Sequence, residues 1–205
     1  MMSSTAGSKP DRTAAPADSG RERIRRAAYE LFSRSGVRAV GVDTVIAQAG
    51  IAKMTLYRNF SSKDELILDF LDRREELWVN QWLVAQVMER ADQPAQRLLA
   101  IFDVFSAWFA RPDFEGCAFL TTMLEISDRC HPVRQATVDH LANIRHFLGD
   151  LAAGAGIKDS DAFARQWHIL MKGSIMAAHE GDTAAGQRAR ELGQLLLASH
   201  GVGAC

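Results

Sequence analysis

After residue 20, apolar residues recur along this chain at spacings of three and four, and no stretch alternates apolar with polar. That period places them on one face of a helix, so the pattern predicts helices and no sheet. The first segment opens at Gly20 and carries Ile24, Ala28, Leu31 and Phe32 on one face, with Gly36 placed as its C-terminal cap. Val42 to Ala49 and Lys53 to Asn59 are two short segments separated by Gly50, Ile51 and Ala52, which suits a tight turn between two crossing helices. Gly50 can take the left-handed conformation such a turn needs. Ser62 with Glu65 three residues on is a capping box, and it starts a fourth helix near Lys63 that runs to Arg90, with Ile67, Leu71, Trp78 and Trp82 along one stripe. Pro94 opens a fifth, carrying Leu98, Ile101, Phe102, Phe105, Trp108 and Phe109. Cys117 to Asp128 and Pro132 to Ala153 follow. Phe163, Trp167, Leu170, Met171, Ser174, Ile175 and Ala178 mark a helix buried along most of its length, and Gln187 to Ser199, with Leu192, Leu195 and Leu196, closes the chain. The expectation is an all-α fold of nine helices.

These elements group into three parts. Residues 1–19, rich in Ser, Ala, Gly and Pro and without periodicity, read as a flexible tail. Residues 20–66 form a small three-helix head, and residues 67–205 a larger helical body. At 205 residues the chain is long enough for a sizeable core without metals or disulfides as staples.

Charge changes the picture once it is divided by position. The net charge is only -1, yet Arg21 to Lys63 holds nine basic residues against three acidic, while residues 64–205 hold thirteen basic against twenty acidic. A basic head on an acidic body points to a polyanion partner for the head, because Lys and Arg clusters gain from displacing the counterions condensed on nucleic acid.

Other chemistry is sparse. Cys117, Cys130 and Cys205 are odd in number and lack CxxC spacing, which argues against a disulfide framework or a zinc site and suits a reducing cytoplasm. No run approaches the roughly 20 apolar residues of a membrane helix. His131, His140, His146 and His168 have no HExxH spacing, and neither a phosphate loop nor a nucleophile elbow is present, so no enzyme, metal or cofactor is expected.

The segment KMTLYRNF, Lys53 to Phe60, has few large apolar residues to hold it in a core. Leu56 and Phe60, four apart, can pack inward, leaving Lys53, Thr55, Tyr57, Arg58 and Asn59 to face outward. The second helix of a helix-turn-helix presents such residues to the major groove. There Thr55 can offer a hydroxyl or a methyl, Arg58 can reach a guanine edge or a phosphate, and Asn59 can pair with adenine or a phosphate. Tyr57 suits a phosphate contact, and Lys63 adds a charge beside the same backbone.

The stretch FSRSGVRAVGVDTVIAQAGIAKMTLYRNFSSKDEL resembles the DNA-binding head of the TetR family of bacterial transcriptional regulators, over residues 21–68. EGCAFLTTMLEI is similar to a Gly-Cys stretch in one subset of that family. The resemblance implies a homodimer that binds a palindromic double-stranded operator, usually as a repressor, and a C-terminal domain whose small-molecule effector lowers DNA affinity. It places the contacts on Thr44, Thr55, Tyr57, Asn59 and Lys63, with Lys53 and Met54 at variable reading positions. Gly41 and Ala52 depart from the pattern, since many members carry Ser or Thr there as helix caps.

An effector pocket in the body has to lie between helices, lined mainly by apolar groups. The candidates are Trp78, Trp82, Phe105, Trp108, Phe109, Phe119, Met123, Trp167, His168 and Met171, although aromatic residues at helical spacing are core by default. Their composition suits a largely apolar ligand, with Glu125, Arg145 and His168 as sources of polarity. Dimerisation is expected through the last two helices, around Trp167, Gly173, Ala177, Leu192, Leu195 and Leu196. Coupling would run through the fourth helix. An alternative keeps the DNA but makes the signal redox, through Cys117 or Cys130.

Overall fold

The computed structural model describes residues 19–203, which leaves Cys205 and, apart from Ser19, the expected tail outside the described residues. Among the described residues there are nine continuous helical rods and no strand. They are α1 (Gly20–Ala39), α2 (Val42–Ala49), α3 (Lys53–Asn59), the rod α4, α5 (Pro94–Phe109), α6 (Ala118–Glu125), α7 (Pro132–Gly154), α8 (Ser160–His179) and α9 (Ala185–Ser199). Within α4, Lys63–Arg74 and Ala85–Arg90 are α-helical and Glu75–Val84 is π-helical.

Helix starts follow local chemistry. Ser19 Oγ accepts from Glu22 N at 3.2 Å at the head of α1, and Ser62 Oγ accepts from Glu65 N at 3.1 Å at the head of α4. The return arm of that second box closes one residue early, because the Glu65 carboxylate accepts the Ser61 N–H at 2.6 Å and the Ser61 hydroxyl at 2.7 Å. Gly36 does take the left-handed side of backbone space, φ +75°, but it kinks α1 rather than ending it, and one further turn continues to Ala39. The acceptor that keeps this turn in place comes from α6. The Glu125 carboxylate receives the N–H groups of Val37 at 2.8 Å and Arg38 at 3.0 Å.

The body is built around α5, whose Leu98, Ile101, Phe102 and Phe105 are fully buried. Trp167 of α8 lies against Phe102 at 5.3 Å between ring centroids and stacks on Phe163 at 5.3 Å. On α9 the inward face is made of small residues, Ala185, Gly186, Ala189 and Gly193, with Leu197. A Cβ at Gly193 would stand 2.7 Å from Trp167 Cη2 and 3.2 Å from Phe102 Cε2, so only glycine permits this approach. Leu192 and Leu195, two of the leucines expected at a dimer interface, point away from this inward face and are 52% and 68% exposed.

Head and body meet along α1 and α4. Phe70 packs edge-on against Tyr29 and Phe32, while Arg25 pairs with Asp69 at 2.8 Å and Arg73 with Glu22 at 2.6 Å around them. Farther along α4, Glu75 accepts from Asn143 at 2.8 Å and pairs with His140 at 2.7 Å, which ties the rod to α7.

Candidate nucleic-acid interface and effector cavity

The turn between α2 and α3 is held from three sides. Gly50 adopts φ +60° and its N–H caps the end of α2, with Ile51 N donating to Ile46 O at 3.3 Å. Arg23 of α1 reaches over and donates from Nε and Nη2 to Ala49 O at 3.0 and 2.7 Å, and also to Gly50 O. Val45 and Leu56 at 0% exposure and Phe60 at 1% anchor the pair underneath. With that face committed, Lys53, Met54, Tyr57 and Arg58 face solvent, as does Thr44 on α2, while Thr55, Asn59 and Lys63 are half-buried.

Two contacts modify the expected roles. The Asn59 amide folds back and donates to Thr55 O at 2.8 Å, and Arg21 donates to Asn59 O at 3.1 Å, so Asn59 holds the end of α3 in this state. Lys53 stands 3.4 Å from Asp43 in an exposed pair. Gly41 and Ala52 make no side-chain cap, so N–H groups at the starts of α2 and α3 are left for other acceptors. Arg21 and Arg23 went unassigned at the sequence level. Only their charge marked them, and charge alone does not distinguish a clamp on a turn from a solvated face.

In the body, three of the predicted aromatics converge. Trp78, Trp82 and Trp108 have centroid separations of 5.2, 4.8 and 6.1 Å and form the wall of an open cavity of about 330 Å³. Tyr29, Arg74, Leu77, Arg111, Asp113 and Glu115 complete its lining. The π-helical stretch carries both Trp78 and Trp82, and π segments recur at functional sites. Phe105 and Phe109 stand behind Trp108, joined by Phe114, which the sequence reading did not single out.

The remaining candidates lie elsewhere. Phe119, Trp167 and Met171 are packed in the core at 2%, 0% and 3% exposure, and Met123 is half-buried on α6. His168 is buried as well. Burial, reinforced by Lys172 and Arg145, pushes its imidazole down to about 3, so it is neutral at ordinary pH. Neither His168 Nδ1 nor Trp167 Nε1 meets a hydrogen-bond partner among the described residues. Glu125 is engaged by α1 and lines a different hollow. Cys130 is exposed, whereas Cys117 is partly enclosed and burial pushes its thiol up, which disfavours the reactive thiolate.

Comparison with known proteins bears on both halves. Residues 24–70 match the model of bacterial regulatory proteins of the tetR family, and residues 94–192 match the tetracyclin repressor-like C-terminal domain. The chain belongs to the TetR family. It is similar to the transcriptional activator FasR of Mycolicibacterium smegmatis, 37% identical over 44% of this chain and 40% of that protein. The regulator LmrA of Bacillus subtilis is 30% identical over 57% and 62% of the two chains. The chain thus spans roughly half the length of the curated relatives it matches. SCO4454, a TetR-family regulator from Streptomyces coelicolor, aligns in structure with a TM-score of 0.77 at 28% identity, over 88% of this chain and 95% of that one.

In this TetR-family chain α8 and α9 present an uncovered apolar face: Ile169, Met176, Leu192 and Leu195 are all more than half exposed. Gly173 lies in this face with nothing within 4 Å of a Cβ built on it, and Ala177 and Leu196 are half-buried beside it. Trp167 does not belong to it. At 0% exposure it is a core residue of the single chain, because its helix turns that side towards α5.

Proposed function

We propose that this TetR-family chain is a homodimeric transcriptional regulator that grips a palindromic duplex through α3 of each head and loosens its hold when an apolar small molecule fills the tryptophan-walled cavity. The outward face of α3 carries this reading: Lys53, Met54, Tyr57 and Arg58 are exposed on a helix pinned by Leu56, Phe60 and Arg23. Exposed donors on a pinned helix can enter a groove without first being ordered. Thr44 and Lys63 flank that face, where phosphates would lie, and the basic balance of the head supplies the sequence-independent part of affinity.

The second copy is placed on the α8 and α9 face, which has the apolar side chains and close-approach positions of a helix-bundle interface. Operator occupancy in the absence of effector makes repression the default output. Selection of random duplexes on the purified protein, followed by footprinting, tests the reading. A palindrome bound with a steep salt dependence and lost in Tyr57→Ala is expected, and enrichment no better than bulk DNA would overturn it.

A further inference from the structure

We infer that the effector is an aromatic carboxylate of about one or two rings, with Arg74 as the anchor for its acid group. This inference rests on the proposed role of the tryptophan cavity. Arg74 lines that cavity and its side chain is only 8% exposed. A guanidinium never deprotonates in a protein, so a buried one needs an anion close enough to hydrogen-bond. Arg74 lacks that here. Nη1 donates to the neutral hydroxyls Tyr29 Oη at 3.2 Å and Ser33 Oγ at 3.4 Å, and the nearest carboxylate, Glu115, stands off at 3.8 Å. Its planar fork matches a carboxylate in a way the two hydroxyls do not, and Glu115 stands beyond hydrogen-bond reach.

The other walls specify the rest of the ligand. Three indoles around 330 Å³ offer flat apolar faces for a ring to stack on. Indole faces also attract cations, and Asp113 and Glu115 belong to the lining. Asp113, however, is held by Arg111 through two 2.7 Å bonds, and any cation among the indoles would share the cavity with Arg74, whose guanidinium lies 5.8 Å from the Trp78 ring. Repulsion between like charges opposes the ring-face attraction there. The two hydroxyls that Arg74 now holds belong to α1, so a carboxylate that draws the guanidinium inward competes with a bond between body and head.

Calorimetric titration of the full chain with 2-naphthoate, 2-naphthamide and 2-naphthylmethylammonium, three probes of one shape and different charge, tests this. The acid should bind at least about tenfold tighter than the amide, and the ammonium weakest. Arg74→Gln should bring the acid down to the level of the amide. If Arg74→Gln does not fold, the order of the three probes on the unmodified chain decides. An amide equal to the acid, or an ammonium tighter than either, would overturn the acid preference while leaving the cavity as the effector site. Binding of none of the three would overturn the cavity itself.

Discussion

Glu125, the last residue of α6, accepts the backbone N–H of Val37 in α1 across 2.8 Å, and a Cβ on the neighbouring Gly36 would run into that same carboxylate. The body therefore supplies the acceptor for a kink in the head, and the kink exists in the form that leaves room for it. Glu125→Ala strands the N–H of Val37, which is 2% exposed, and should cost about 1–3 kcal/mol. Gly36→Ala brings strain at φ +75° together with the collision, a loss of roughly 1–2 kcal/mol. In the double variant the losses should fall short of their sum, since removing the carboxylate removes the collision. Urea unfolding of the four proteins measures this coupling, and strict additivity would contradict it.

Gly193→Ala should destabilise the body by about 1–3 kcal/mol, because the new methyl meets the Trp167 ring at 2.7 Å between two helices that cannot separate without opening the core. A thermal melt detects this, and near-ultraviolet circular dichroism should report the displaced indole. An unchanged melting temperature would mean that α9 sits farther from the Trp167 ring of α8 than 2.7 Å allows.

His168 makes stability depend on pH in a defined direction. Its folded imidazole titrates at about 3 against an ordinary 6.5, so below 6.5 the unfolded chain takes up a proton that the folded chain refuses. Stability on this account is intact above pH 6.5 and falls by about 1.4 kcal/mol per unit as pH drops towards 3. Between pH 7 and pH 5, His168→Gln should lose about 2 kcal/mol less than the unmodified chain. Parallel urea titrations at the two values decide the matter, and equal losses would show that His168 is charged when folded.

Gly173→Leu separates the fold of one chain from the assembly of two. Space around Gly173 is open in the protomer, so the added side chain should leave secondary structure unchanged. On the proposed interface it meets the partner helix and should shift sedimentation towards the monomer. A variant that still sediments as a dimer would move the interface elsewhere.

Legibility from the sequence followed the physics of each feature. Periodicity, prolines and caps mark helices, and all nine rods were readable from their apolar spacing, with ends sharpest where the chain announces them locally, as at Ser62 and Pro94, and missed where it does not, as at Gly36. The α3 surface was readable because a short helix that buries only Leu56 has to expose most of the rest, with Thr55 and Asn59 half-buried. The π-helical stretch was not, since its residues have no spacing that sets it apart from an ordinary helix. On α9 Leu192 and Leu195 face outward and Gly186 and Gly193 inward, and the inward choice follows from how closely α5 approaches rather than from residue type. Among the ten aromatic and neighbouring candidates, three line the cavity, and what distinguishes Trp108 from Trp167 is which neighbour each helix turns towards, a relationship that exists only after packing.

The Arg23 clamp has a mechanical consequence. By binding the carbonyls of Ala49 and Gly50, it fastens the turn between α2 and α3 to the side of α1. On the proposed function, the angle at which α3 would meet a groove is thereby geared to the long axis of α1 and has little freedom of its own. In a two-headed assembly the gap between the reading helices becomes a property of how α1 leans, and a tilt too small to notice at its base would be enlarged at its tip into a misfit with a fixed half-site spacing.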